Sequence, residues 1–182
     1  MIRLPEADGF FTCEKRRNPI VKRVLVIGSP GAGKSTFARR LREKTGLPLH
    51  YLDQLWHKAD GTTISRAEFD EKLAHLLAKE DWIIDGNYSR TLERRLQACD
   101  TVFLLDLPVS TCLSGAEARI GQKREDLPWV ETELDEEFRQ QILQFPKREL
   151  PQIYELLKQA DPKIKVVVFH SREEINDYLE RL

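Results

Sequence analysis

One stretch of the chain carries clear chemistry: Gly28-Ser29-Pro30-Gly31-Ala32-Gly33-Lys34-Ser35. It satisfies the pattern G-x-x-x-x-G-K-[ST] at every specified position. The apolar run Val24-Leu25-Val26-Ile27 precedes it, and a helical pattern from Thr36 to Lys44 follows. Gly28, Gly31 and Gly33 let backbone N–H groups face an anion with no Cβ in the way. The N-terminus of the following helix adds the positive end of its dipole. Lys34 is then placed to reach the β- and γ-phosphates of a nucleoside triphosphate, with the Ser35 hydroxyl as a Mg²⁺ ligand and Thr36 extending the cradle. The pattern points to ATP and Mg²⁺ as cofactors.

Further polar residues fall where such a ligand would need them. The chain alternates strand and helix signals from Val21 onward. Strands are expected at 24–27, 49–52, 82–84, 101–105 and 165–169, and helices at 35–45, 65–79, 91–97 and 110–120. A mainly helical stretch at 131–157, broken at Pro146 and Pro151, and a C-terminal helix complete the pattern. Ser65 with Glu68 and Ser171 with Glu174 form capping boxes that start two of the helices, and Gly46 suits the end of the first. Repeated βα units imply a parallel sheet covered on both faces. Ligands of such sheets bind beyond the carboxyl ends of the strands. That rule selects the glycine loop, Asp53, Asp85-Gly86-Asn87-Tyr88, Asp106 and the segment 170–173.

The composition bounds the answer. A chain of 182 residues with 41% hydrophobic and 32% charged residues suits one soluble domain with a substantial core. Twenty-nine basic against thirty acidic residues leave a net charge of −1, so no global basic field favours non-specific nucleic-acid binding. Cys13, Cys99 and Cys112 have no metal or disulfide spacing, and His50, His57, His75 and His170 have no metal spacing. A reducing cytoplasm is the expected compartment. No apolar stretch is long enough to span a bilayer, and the N-terminus shows no secretory signal. Residues 1–20 read as an extension, and 21–182 as the domain.

The glycine loop, Tyr51-Leu52-Asp53-Gln54-Leu55-Trp56, Trp82-Ile83-Ile84-Asp85-Gly86-Asn87-Tyr88 and Leu104-Leu105-Asp106-Leu107-Pro108 together resemble the adenylate-kinase-like P-loop proteins. The resemblance is greatest to the bacterial group described as DNA topology modulation proteins (FlaR-like), and it covers roughly residues 22–180. It implies a three-layer α/β fold with a five-stranded parallel sheet of order 2-3-1-4-5 and a small helical lid at about 115–130. Asp85 resembles the acid that holds Mg²⁺ through water; Asp106 is the alternative. Asp85 also fits a turn aspartate before Gly86. Asp53 matches an acid that orients an acceptor hydroxyl, and Trp56, Asn87 and Tyr88 are expected to line the acceptor pocket. Arg90 and Arg95 are candidate anchors for the acceptor, Arg95 the better match. Arg119 and Arg124 match lid arginines that stabilise the transferred charge and contact the nucleotide, and Arg172 is expected near the base. Ser114-Gly115 depart from the pattern, standing where relatives carry an arginine.

The expected activity is transfer of the ATP γ-phosphoryl group to a small acceptor: a nucleotide, a nucleoside or a hydroxylated metabolite. Two rivals are a regulatory NTP-binding protein with a macromolecular partner and a nucleic-acid-binding module. The near-neutral charge and the absence of a helix-turn-helix signature oppose the second.

Overall fold

A computed structural model describes residues 21–182; the expected extension at 1–20 lies outside the described residues. Five strands form one parallel sheet in the order β2-β3-β1-β4-β5. They are β1 (Arg23–Gly28), β2 (Leu49–Tyr51), β3 (Trp82–Asp85), β4 (Thr101–Leu105) and β5 (Lys165–Phe169). This is the expected order 2-3-1-4-5, with helices on both sides. The molecule has the three-layer α/β fold of P-loop NTPases.

Alternation along the central strand explains the layering. Val24 and Val26 of β1 pack with Phe37, Ala38 and Leu41 of α1 (Lys34–Thr45), Cys112 and Ala116 of α5 (Val109–Glu117), and Ile175 and Leu179 of α8 (Arg172–Glu180). Leu25 and Ile27 pack on the other face with Phe69, Leu73 and Leu76 of α3 (Arg66–Leu77), Leu92 and Leu96 of α4 (Leu92–Leu96), and Ile153 of α7 (Leu150–Gln159). All these side chains are buried, as a sheet covered on both faces requires. Phe37 and Phe103 meet edge to face, with ring centroids 4.9 Å apart.

The helix starts follow the local chemistry. Ser65 accepts the Glu68 N–H and Ser171 accepts the Glu174 N–H. Gly46 ends α1 in the left-handed conformation, donating to the Arg42 carbonyl.

Three local expectations are corrected. Leu52 begins a short helix, α2 (Leu52–Trp56), instead of ending β2, so Asp53 lies on a helical first turn. Pro146 does not break its helix: α6 runs Glu136–Arg148, and the chain divides at Glu149. Pro146 falls in the last turn, where its missing N–H costs one bond, and Pro151 falls in the first turn of α7, where that N–H has no helical partner anyway. The expected helical lid is helical only to Glu117. Residues 118–135 are turns, bends and irregular chain punctuated by Gly121 and Pro128.

The glycine loop lies hard against α5. A Cβ on Gly115 would sit 2.1 Å from the Gly31 carbonyl oxygen and 3.0 Å from an Arg172 guanidinium nitrogen. The glycine that departs from the family pattern is therefore dictated by close backbone approach. Both neighbours at fault are main chain or held by it, so Gly115→Ala is expected to lower the melting temperature by roughly 3–10 °C, from about 1–3 kcal/mol of overpacking. Thermal denaturation of the two proteins checks this; an unchanged melting temperature would show that α5 moves freely off the loop.

Candidate active site

β1 delivers the glycine loop at the carboxyl edge of the sheet, and α1 leaves it at Lys34. Gly33, at φ 92°, caps that helix, and a Cβ there would meet nothing within 4 Å, so the mouth of the loop is open. The Ala32 N–H donates to the Ser29 carbonyl at 3.2 Å, which closes the turn. Lys34 curls back, its Nζ donating to the carbonyls of Gly28 (3.0 Å) and Ser29 (2.9 Å). Burial lowers the Lys34 pKa from its ordinary value, while the charges of Asp85 and Asp53 oppose that shift. Ser29 and Ala32 are buried, Pro30 is half-buried and Thr36 is exposed.

Asp85 ends β3 beside this lysine. Only 5% of it is exposed, and its Oδ1 has no hydrogen-bond partner. Burial raises its carboxyl to about 6, against the opposing pull of Lys34 and the Ser35 hydroxyl. A buried carboxylate oxygen left bare, next to a hydroxyl and an ammonium, is suited to a hard cation that retains water and phosphate ligands. Among the described residues, no three His, Cys, Asp or Glu side chains are arranged to hold a metal unaided. These residues thus fit a Mg²⁺ that arrives with a polyphosphate. Asp106, the alternative, accepts the Tyr154 hydroxyl at 2.7 Å.

The loop after β3 is held by two residues expected to face the acceptor. Asn87 exchanges two hydrogen bonds with the Gly28 backbone, accepting its N–H at 2.9 Å and donating to its carbonyl at 2.7 Å. It ties the glycine loop to β3. Arg95 is fully buried, and its guanidinium donates to the carbonyls of Gly86 (2.8 Å), Asn87 and Tyr88 (3.1 Å). Burial pulls its pKa down to about 9, and its Nε is unpartnered. Arg95 brackets the loop from behind, its bonds made to main-chain carbonyls. Arg90 is exposed and makes a two-pronged pair with Asp70 on α3 at 2.9 and 2.7 Å, away from the crevice.

Tyr88 stands in left-handed backbone, φ 39°, uncommon for a non-glycine residue. Its hydroxyl donates to Asp53 Oδ1 at 2.9 Å. Its ring stacks on Phe69 at 5.2 Å and meets Trp56 edge-on at 6.5 Å. Asp53, Tyr88 and Trp56 are therefore brought together, across the loop from Lys34, whose charge both Asp53 and Asp85 affect.

Arg119 and Arg124 are drawn together by acids of their own segment. Arg119 pairs with Glu131 at 2.8 Å and lies 4.7 Å above the Phe138 ring. Arg124 pairs with Glu131 at 2.8 Å and grips both oxygens of Asp126. Asp126 is 1% exposed and accepts the Ser35 hydroxyl at 3.0 Å. Asp126 and Glu131 were not selected by sequence reasoning; the Arg124-Glu125-Asp126 run in an otherwise irregular lid was the available signal. Arg172 is exposed, beside α5, donating to the Thr111 carbonyl at 3.4 Å.

No protein-family model matches the chain. An adenylate kinase of Thermotoga neapolitana is 31% identical over 85 residues, 46% of this chain and 38% of that protein. One of Mycobacterium leprae is 36% identical over 90 residues, 46% of each. The matched stretch thus spans less than half the length of these relatives. Among solved structures, a shikimate kinase of Acinetobacter baumannii in complex with shikimate superposes with a TM-score of 0.59 at 18% identity, covering 88% of this chain and 90% of that one. A gluconokinase of Sinorhizobium meliloti gives 0.53 at 14%, covering 90% of each. These structural likenesses establish the P-loop fold.

Two predictions follow from the loop and its acid. Arg95→Met would leave the Gly86 and Asn87 carbonyls without their donor, at about 1–3 kcal/mol for each group that water cannot reach, while the Tyr88 carbonyl keeps the Thr91 N–H. A fall in stability of several kcal/mol is expected by urea denaturation, and an unchanged midpoint would deny Arg95 its bracketing role. Asp85 binds a proton more tightly folded (about 6) than unfolded (about 4). It therefore destabilises the fold as pH rises from about 4 to 6, by up to roughly 3 kcal/mol, with no further change above. Asp85→Asn is expected to flatten that slope and raise the melting temperature at pH 7.5; a slope surviving in the variant would assign it to other groups.

Proposed function

We propose that this protein is a P-loop phosphotransferase that moves the γ-phosphoryl group of ATP to the hydroxyl of a small acceptor. The observation that carries the reading is the meeting of four features at one crevice. These are the open glycine loop, Lys34 and Ser35 at the start of α1, the bare buried oxygen of Asp85, and the Asp53–Tyr88 pair opposite. The partial likeness to adenylate kinases, and the superposition on shikimate kinase and gluconokinase, support the same reaction class. The resemblance to the DNA topology modulation group supports the fold and nucleotide site and carries no acceptor.

In this reading the loop N–H groups of Gly31 and Gly33 hold the phosphates, and Lys34 swings from the carbonyls of Gly28 and Ser29 to meet them. Ser35 and Asp85 would hold Mg²⁺, which would supply charge neutralisation for the phosphates. Asp53, hydrogen-bonded to Tyr88, orients the acceptor hydroxyl and accepts its proton. Arg119 and Arg124 stabilise charge on the transferred group. Trp56 and Tyr88 offer ring faces to the acceptor. Arg95 and Asn87 position this loop, and Arg90 stays on the surface. The acceptor is a small hydroxylated metabolite, nucleoside or nucleotide.

The test is ADP formation from ATP and Mg²⁺ against a panel of such acceptors, with Lys34→Ala alongside. Acceptor-dependent turnover that falls at least about 100-fold in the variant is expected, since one charged donor to the transferred group contributes roughly 3–4 kcal/mol. Nucleotide binding without acceptor-stimulated turnover would replace this reading with a regulatory NTP-binding protein.

A further inference from the structure

The lid reaches the metal side of the crevice through one residue. Asp126 lies in the irregular segment after α5, yet its side chain is 2% exposed. One of its oxygens accepts the Ser35 hydroxyl at 3.0 Å, and Arg124 Nε donates to the other at 3.1 Å. Arg39 of α1 stands 4.0 Å away. The charge of Asp126 also acts on Asp85, adding to the effects that raise its carboxyl, and Ser35 interacts with both acids. The hydroxyl that follows the loop lysine is thus bonded to a carboxylate carried by the lid, with the Asp85 carboxylate, fixed on β3, near enough to interact with it. The bare Oδ1 of Asp85, buried on the same side, is a separate sign that a cationic group belongs there.

Asp126 is held in this place by more than one contact. Neighbouring Glu125 pairs with Arg42 of α1 at 2.7 Å, and its carbonyl accepts the Gln54 side-chain amide from α2. Trp129 meets His57 edge to face at 4.9 Å. The lid is seated on α1 and α2 at several points, and Asp126 is the one that reaches the glycine loop.

We propose that Asp126 is a further residue of the Mg²⁺ site, acting through the Ser35 hydroxyl and the waters of the ion, so that lid closure and metal binding favour one another. The proposal rests on the nucleotide–Mg²⁺ reading above. A hard cation with several retained waters needs acceptors at the distance of its hydration layer, and two carboxylates flanking Ser35 supply them. Arg124, gripping Asp126, is then brought to the phosphates by the same closure that completes the metal site. Lid arginines and metal would arrive together, which keeps γ-phosphoryl activation from preceding lid closure.

The experiment is calorimetric titration of the full chain with ADP in EDTA and with ADP in excess Mg²⁺, for the parent, Asp126→Asn and Asp126→Glu. In the parent, Mg²⁺ tightens ADP binding. In Asp126→Asn that gain, taken as the ratio of the affinities with and without Mg²⁺, is expected to fall at least about 10-fold, the usual effect of removing a group that orients metal ligands. Asp126→Glu is expected to recover part of the gain. Two results overturn the proposal: a Mg²⁺ gain that survives Asp126→Asn, or metal-free ADP binding that becomes about 10-fold tighter in it. The second would mean that Asp126 only blocks the site. Hydrogen exchange on the parent gives a readout independent of variant folding. Residues 122–131 should gain protection with Mg²⁺ and ADP beyond that with ADP alone; equal protection overturns the proposal. A parent that binds no ADP under either condition would instead defeat the nucleotide reading itself.

Discussion

Placing a carboxylate in the interior with one oxygen unbonded is the costliest local choice in this structure, and the crevice is arranged around it. Asp85 is the last residue of β3, which pairs with both β2 and β1, so it cannot turn outward without disrupting the sheet. Burial drives its carboxyl towards the neutral form, and only Lys34 and Ser35 pull the other way. That combination costs the fold stability and suits a neighbouring cation. Stability is given up where binding can restore it, as is common at sites that work on charged groups.

The same logic governs the loop that follows. Gly86 and Asn87 leave the sheet in a path that no strand or helix satisfies, so their carbonyls need donors from elsewhere, whereas the Tyr88 carbonyl also accepts the Thr91 N–H. Arg95 supplies them with a guanidinium that lies wholly inside the protein. An arginine is suited to this because its planar fork bonds several oxygens at once. The bracket also holds Tyr88 in left-handed backbone, and that conformation aims the hydroxyl at Asp53. Asn87 ties the same loop to Gly28, so the acid, the tyrosine and the glycine loop form one connected unit. Two residues expected from sequence to face an acceptor thus bond the main chain of the loop that carries Tyr88.

That exchange of roles shows where reading the sequence stops. The glycine loop, the strand order and the capping boxes at Ser65 and Ser171 were legible because each depends on local spacing or on which positions are apolar. The positions of Asp53 and Asp85 followed from a rule about strand ends. Arg90 and Arg95 stand five residues apart, and both read as arginines near an acceptor; yet one pairs with Asp70 at the surface and the other is buried beneath the loop. Their targets are set by tertiary geometry: Asp70 lies twenty residues upstream in the chain, and the carbonyls bonded by Arg95 have no residue identity. Gly115 is similar. Its departure from the family pattern suggested a lost cation, whereas its neighbours leave no space for any side chain. The lid failed as a helix because its packing is ionic, with apolar periodicity absent between Ile120 and Leu134.

The ionic packing of that segment divides its acids by function. Glu131 binds both Arg119 and Arg124 and is part-exposed, so it is the counter-ion of both guanidiniums at a place water can reach. A polyphosphate carries more charge than one carboxylate and offers more acceptors, so it can displace Glu131 at the arginines without leaving a buried charge behind, because Glu131 can turn to water. Asp126 has no such freedom. It is enclosed, it bonds Ser35 as well as Arg124, and expelling it would mean unseating the lid from α1. Bound charge is therefore expected to exchange with Glu131 and to build upon Asp126. Two acids in one short segment, equal in sequence character, are separated by burial and by the Ser35 bond into a part-exposed counter-ion and an enclosed, doubly bonded carboxylate.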